Sequence, residues 1–139
     1  MTLDEILVLQ PGPKMDALVG EQIMRECRHE FVWIGPHPWE YGCVKCGMED
    51  RSDTKPLYIV GKDRPYSTDI SAAWEVEKEM DRRNLRVAYT QALQLVIRSR
   101  KEYATTFDYV HASPADRCKA ALLVVTLGAE RFEGMARAG

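Results

Sequence analysis

The chain has 139 residues, 45% of them hydrophobic and 29% charged, a balance suited to one folded domain with a real core. Its formal net charge of −2 argues against a general grip on nucleic acid, which needs a strongly basic face. No apolar run approaches the roughly 20 residues of a membrane span, and the acidic start "MTLDEILVLQPG" lacks the basic region of a signal peptide.

The first elements read as helix, turn, helix. Thr2 and Glu5 have capping-box spacing, and "QPGP" stops the short helix because proline cannot continue it. A second helix is predicted from Lys14 to Arg25, with Met15, Leu18, Val19 and Ile23 as its apolar stripe. "FVWIG" and "WEYGC" are short and aromatic, and read as two strands of a hairpin around "PHP". "PLYIV" reads as a further strand.

A helix is predicted next in "YSTDISAAWEVEKEMDRRN", capped by Ser67, Thr68 or Asp69. Ile70, Ala73, Trp74, Val76 and Met80 form its expected buried side, and Glu79 and Arg83 a favourable i,i+4 pair. "LRVAYTQALQLVIRSR" fits both periods. Its β-branched and aromatic content favours strands over residues 85–98. "YATTFDYVH" also reads as a strand. "SPADRCKAALLVVTLGAERF" is the clearest helix, with Ser113 at the N-cap, Pro114 at N1 and Asp116 at N3. Cys118, Ala121, Leu122, Val125 and Phe132 lie on its apolar side, and the tail "GMARAG" reads as frayed. The expected fold is α+β: an antiparallel sheet sandwiched between helices, in a single domain over 1–139, with a small zinc-binding β-hairpin insert over 27–50.

That insert carries the densest chemistry. Three of the four cysteines lie between residues 27 and 47, as Cys27-x-His29 followed by Cys43-x-x-Cys46-Gly47. The second pair has the shape of a zinc knuckle, with two thiolates leaving a tight turn. Three sulfurs and one imidazole complete a tetrahedron and leave no open position, so the expected cofactor is a structural Zn2+. His37 sits between prolines at the hairpin tip, away from the knuckle.

No phosphate-binding glycine loop or nucleophile elbow is present. His111 lies near Ser113, a pair better read as a helix cap beside a surface histidine. Glu49–Asp50 and Glu77–Glu79 fall in stretches expected to face solvent. Arg82, Arg83, Arg98 and Arg100 are the candidate phosphate ligands, because guanidinium forks grip phosphate oxygens in pairs. With Tyr66, Ser67 and Trp74 they make up a candidate ligand-binding set.

Three blocks, "LQPGPKMDALVGEQIM", "PYSTDISAAWEVEKEM" and "DRCKAALLVV", in this order resemble the phage ABA-sandwich domain family of small phage and prophage proteins. The resemblance implies a sheet between helices and a place in the cytoplasm of a bacterial host. It supplies no catalytic residues. Within the shared "PYSTDISAAWEV", it admits a purely structural role, with Ser67 as a cap and Trp74 as a core plug. The expected function is that of a non-enzymatic phage accessory protein acting by binding. Its target would be a host protein or an anionic nucleotide, as in counter-defence by sequestering a nucleotide immune signal. The alternative is a nucleic-acid-binding module, in which Trp33, Trp39, Tyr41 and Lys45 of the zinc hairpin meet single strands. A homo-oligomer is expected, with no membrane partner.

Overall fold

The computed structural model describes residues 1–25, 31–33, 35–36, 41–43, 49–50 and 64–138. Seven helices account for most of them: α1 (Leu3–Leu7), α2 (Pro13–Gln22), α3 (Ile70–Arg82), α4 (Arg86–Arg98), α5 (Thr106–Val110), α6 (Pro114–Leu127) and α7 (Ala129–Ala138). Three short strands, β1 (Phe31–Trp33), β2 (Tyr41–Cys43) and β3 (Glu49–Asp50), form an antiparallel meander in the order β1-β2-β3. The "PLYIV" stretch lies outside the described residues.

The expected sheet between helices is contradicted. The protein is mostly helical, and its core is helix packed on helix. At the centre is α6, which packs against α1, α2, α3, α4 and α7. Ala120, Ala121, Leu122, Leu123 and Val124 are all buried, so successive positions around the helix meet protein. Its start follows local rules. Ser113 Oγ accepts from the Asp116 backbone N–H, the Asp116 carboxylate accepts from the Ser113 N–H, and Pro114 opens the first turn. α1 starts the same way, with a reciprocal box between Thr2 and Glu5. In α2 and at its C-cap, Met15, Val19 and Ile23 are fully buried, as their spacing predicts. Asp69 is the residue that caps α3, accepting from the Ser71 N–H at 2.8 Å.

Two predicted strands are helices. Residues 86–98 form α4, whose Ala88, Tyr89, Ala92, Leu93, Val96 and Ile97 are buried on a helical period. The rival alternation fails because Val87 is exposed while Tyr89 is buried. A left-handed Asn84 (φ 60°) turns the chain after α3, and Leu85 N–H donates back to the Met80 carbonyl at 2.9 Å. The returning segment then buries one helical stripe against α6 and α7, and this packing outweighs the β preference of valine and isoleucine. "YATTFDYVH" fails as a strand for a local reason. Thr105 caps α5 through a capping box with Asp108, which commits the chain to a helical turn. The tail also differs from expectation: residues 134–138 continue α7, which follows a break at Gly128 (φ 96°).

Candidate metal centre

The strand register bears directly on the knuckle. Phe31 pairs with Cys43, Val32 with Gly42, and Trp33 with Tyr41. Cys43 is therefore opposite the first residue of β1. Cys27 and His29 precede that residue by four and two positions. β2 then pairs antiparallel with β3, Tyr41 with Asp50 and Gly42 with Glu49, and Cys46 and Gly47 fall in the sequence between these two strands. The first residue of β1 and the last residue of β2 thus lie at the same end of the meander. His37 falls in the sequence between Trp33 and Tyr41, the residues paired at the other end of β1 and β2. Three thiols and one imidazole are a donor set that suits a closed tetrahedral Zn2+ site. Cys27, His29, His37 and Cys46 lie outside the described residues, and Cys43 is described as strand backbone.

The ligand-binding candidates are scattered. Tyr66 is fully buried and has no face for a base to stack on. Ser67 is buried too, at 2% exposure. Its N–H and Oγ both donate to Asp16 Oδ1, at 2.8 and 2.7 Å, while its Oγ accepts from the Gly12 N–H at 2.8 Å. Gly12 sits at φ 143°, a backbone angle that side chains disfavour. Trp74, expected as a core plug, is 51% exposed. It falls on the solvent side of α3 because Ala72, Ala73, Val76 and Met80 take the inner stripe.

Most of the arginines already have carboxylates. Arg82 and Arg83 both donate to Glu79, and Arg83 also donates to the Ile23 carbonyl at the end of α2. The hydrogen bonds from Arg82 and then Arg83 hold the Glu79 carboxyl down at about 2. Arg100 grips Asp116 with both ends of its fork. Burial pushes the Asp116 carboxyl up, but the Arg100 and Ser113 bonds outweigh it, and the net shift is downward. Of the four arginines, Arg98 has no ion-pair partner among the described residues. It is also remote from Arg83, since α4 puts about 18 Å of helix rise between its first and last residues.

Glu77 and Glu79 are not idle surface charges. Glu77 accepts from Arg117 and from the Tyr89 hydroxyl. Arg117, 7% exposed, also donates from Nε to the Ala112 carbonyl at 3.1 Å and from its other fork to Val110 at 3.1 Å. Sequence reasoning missed this buried link, as it missed Asp16–Ser67. The available signal was a charged residue inside an apolar run, Asp16 between Met15 and Ala17 and Arg117 just before Cys118. Ser113 and His111 form no catalytic pair: the serine caps α6, and His111 stacks on Phe107 at 3.9 Å between ring centroids. Cys118 is fully buried, and burial, with the Asp16 charge nearby, pushes its thiol up to about 12. Such a thiol is a poor nucleophile at neutral pH. Comparison with protein-family models, curated proteins and solved structures finds no match for this chain.

Proposed function

We propose that this chain is a phage accessory protein that acts by binding a host protein in the bacterial cytoplasm, without catalysis. Its contact surface is the β1–β3 meander, braced by a structural Zn2+ on Cys27, His29, Cys43 and Cys46. The observation that carries this reading is the exposure of β1. Neighbouring strand residues point to opposite faces, yet Val32 is 40% and Trp33 63% exposed. Neither face of β1 is fully covered, and an exposed tryptophan on a short strand is a typical anchor for a partner protein. The phage attribution rests on the resemblance of "LQPGPKMDALVGEQIM", "PYSTDISAAWEVEKEM" and "DRCKAALLVV". A protein partner is favoured over a nucleotide because Arg82, Arg83 and Arg100 are engaged by carboxylates and Tyr66 is buried. It is favoured over nucleic acid by the net charge of −2.

The test is affinity capture from nuclease-treated host extract with the wild-type chain, Trp33→Ala and Cys43→Ser, beside titrations with cyclic nucleotides and single-stranded DNA. One defined host protein should be retained by the wild type and lost with Trp33→Ala. Saturable binding of a nucleotide or of DNA, with no retained protein, would sink this reading.

A further inference from the structure

α5 is five residues long and buries none of them. A helix this short does not hold its shape in water unaided, since isolated helices are marginal below roughly 12–15 residues. Local bonds supply part of what it lacks. The Thr105–Asp108 box fixes its start, and the His111 ring stacks on Phe107 at its end. It hangs between Ala104 and Ala112, both of which pack on the core. Beyond immediate chain neighbours, and among the described residues, the hydrogen bonds that reach 105–111 come from Lys101 and Arg117.

These two ties differ in kind. Lys101 is half exposed and meets Asp108 at the surface, where an ion pair contributes little. Arg117 is buried in the second protein layer, near the start of α6. Its Nε donates to the Ala112 carbonyl at 3.1 Å, and one end of its fork donates to the Val110 and Tyr109 carbonyls at 3.1 and 3.4 Å. A helix end leaves such carbonyls without partners of their own. The other end of the fork donates to Glu77 of α3. A guanidinium is flat and rigid, so fixing that end on Glu77 aims the rest at α5. Glu77 also accepts from the Tyr89 hydroxyl of α4 at 2.9 Å. We infer that residues 105–111 are a strap that opens as a unit while the core stays folded, with Arg117 as its latch and Glu77 as the positioning residue that sets the latch from α3. Opening breaks the Arg117 bonds to the strap and lifts Tyr109 from the edge of the core, and it leaves the buried residues of α4 and α6 in place.

Native-state hydrogen exchange at pH 7, resolved by residue on the full zinc-loaded chain, tests this. The Tyr109 and His111 amides, bonded to the Thr105 and Phe107 carbonyls, should exchange at least about a hundredfold faster than those of Leu122, Leu123 and Val124 in α6. Glu77→Gln and Arg117→Lys should each quicken the Tyr109 and His111 amides about tenfold or more, the factor expected for a hydrogen bond to a charged group. Tyr89→Phe removes the other bond to Glu77 and spares the latch. It should quicken exchange in α6 while leaving the two strap amides within about threefold of wild type, a split that a general loss of stability does not produce. If Arg117→Lys does not fold, the Glu77→Gln and Tyr89→Phe pair decides the matter alone. Strap amides as slow as those of α6 in the wild type would overturn the inference. So would strap amides unmoved by Glu77→Gln, or quickened as much by Tyr89→Phe as by Glu77→Gln.

Discussion

Asp16 Oδ1 accepts two hydrogen bonds from Ser67, one from the backbone N–H at 2.8 Å and one from Oγ at 2.7 Å, across 51 residues of sequence. The Ser67 hydroxyl oxygen in turn accepts from the Gly12 N–H. This buried cluster fastens the turn before α2 to the turn before α3. It gives a structural reason for "PGPKMD" and "PYSTD" to occur in one chain, with no ligand involved.

Asp16→Ala should cost about 2–3 kcal/mol of unfolding free energy, because it strands two buried donors of Ser67 that now meet a charged acceptor. Ser67→Ala should cost less, about 1 kcal/mol, since the N–H bond survives. Urea unfolding followed by circular dichroism measures both. A cost below about 0.5 kcal/mol for Asp16→Ala would mean that water satisfies these groups.

Trp74 and Phe132 should behave in opposite ways. Phe132 is 1% exposed and belongs to the central core, so Phe132→Ala should cost about 3–5 kcal/mol. Trp74→Ala removes a half-exposed ring and should cost under about 1 kcal/mol. Comparable losses in thermal or urea melts would restore Trp74 to the core.

Acid stability follows from the depressed carboxylates. The folded Glu79 carboxyl is held at about 2, against an ordinary value of 4.5. Asp108 is also held at about 2, through Lys101 first and Thr105 after it. Groups whose folded value lies below the unfolded one stabilise the fold above the unfolded value, and that contribution is lost as pH falls through the folded value. The melting temperature should therefore hold steady from pH 7 to about pH 5 and decline between about pH 4.5 and pH 2. Glu79→Gln should flatten part of that decline. An acid limb unchanged in this variant would show that its pairs with Arg82 and Arg83 contribute nothing in solution.

Zinc should bind at one equivalent per chain, and Cys46→Ser should abolish it. The described buried core comes from α1–α4, α6 and α7 together with Ile23, Tyr66 and Ala112. Chelation should therefore leave the helical circular-dichroism signal and a single cooperative melt. Loss of all cooperative unfolding on zinc removal would place the metal in the main core. Metal analysis of protein purified under reducing conditions that finds no zinc would end the proposal.

The sequence by itself determined the parts of this protein that depend on neighbours a few residues away. The Thr2–Glu5 and Ser113–Asp116 boxes, the Met15–Val19–Ile23 stripe of α2 and the α6 helix are legible because caps and helical stripes are set within one or two turns. Only the tertiary structure decided which period residues 86–98 obey, since their apolar residues satisfy both and the surface they bury against is α6 and α7. It alone turned Trp74 outward, joined Asp16 to Ser67 and Arg117 to Glu77, and gave Arg100 to Asp116, whereas the Glu79–Arg83 pair was legible from its i,i+4 spacing. Those outcomes rest on packing and on buried charges finding partners, some of them tens of residues away, and no local window of sequence contains both members of such distant pairs.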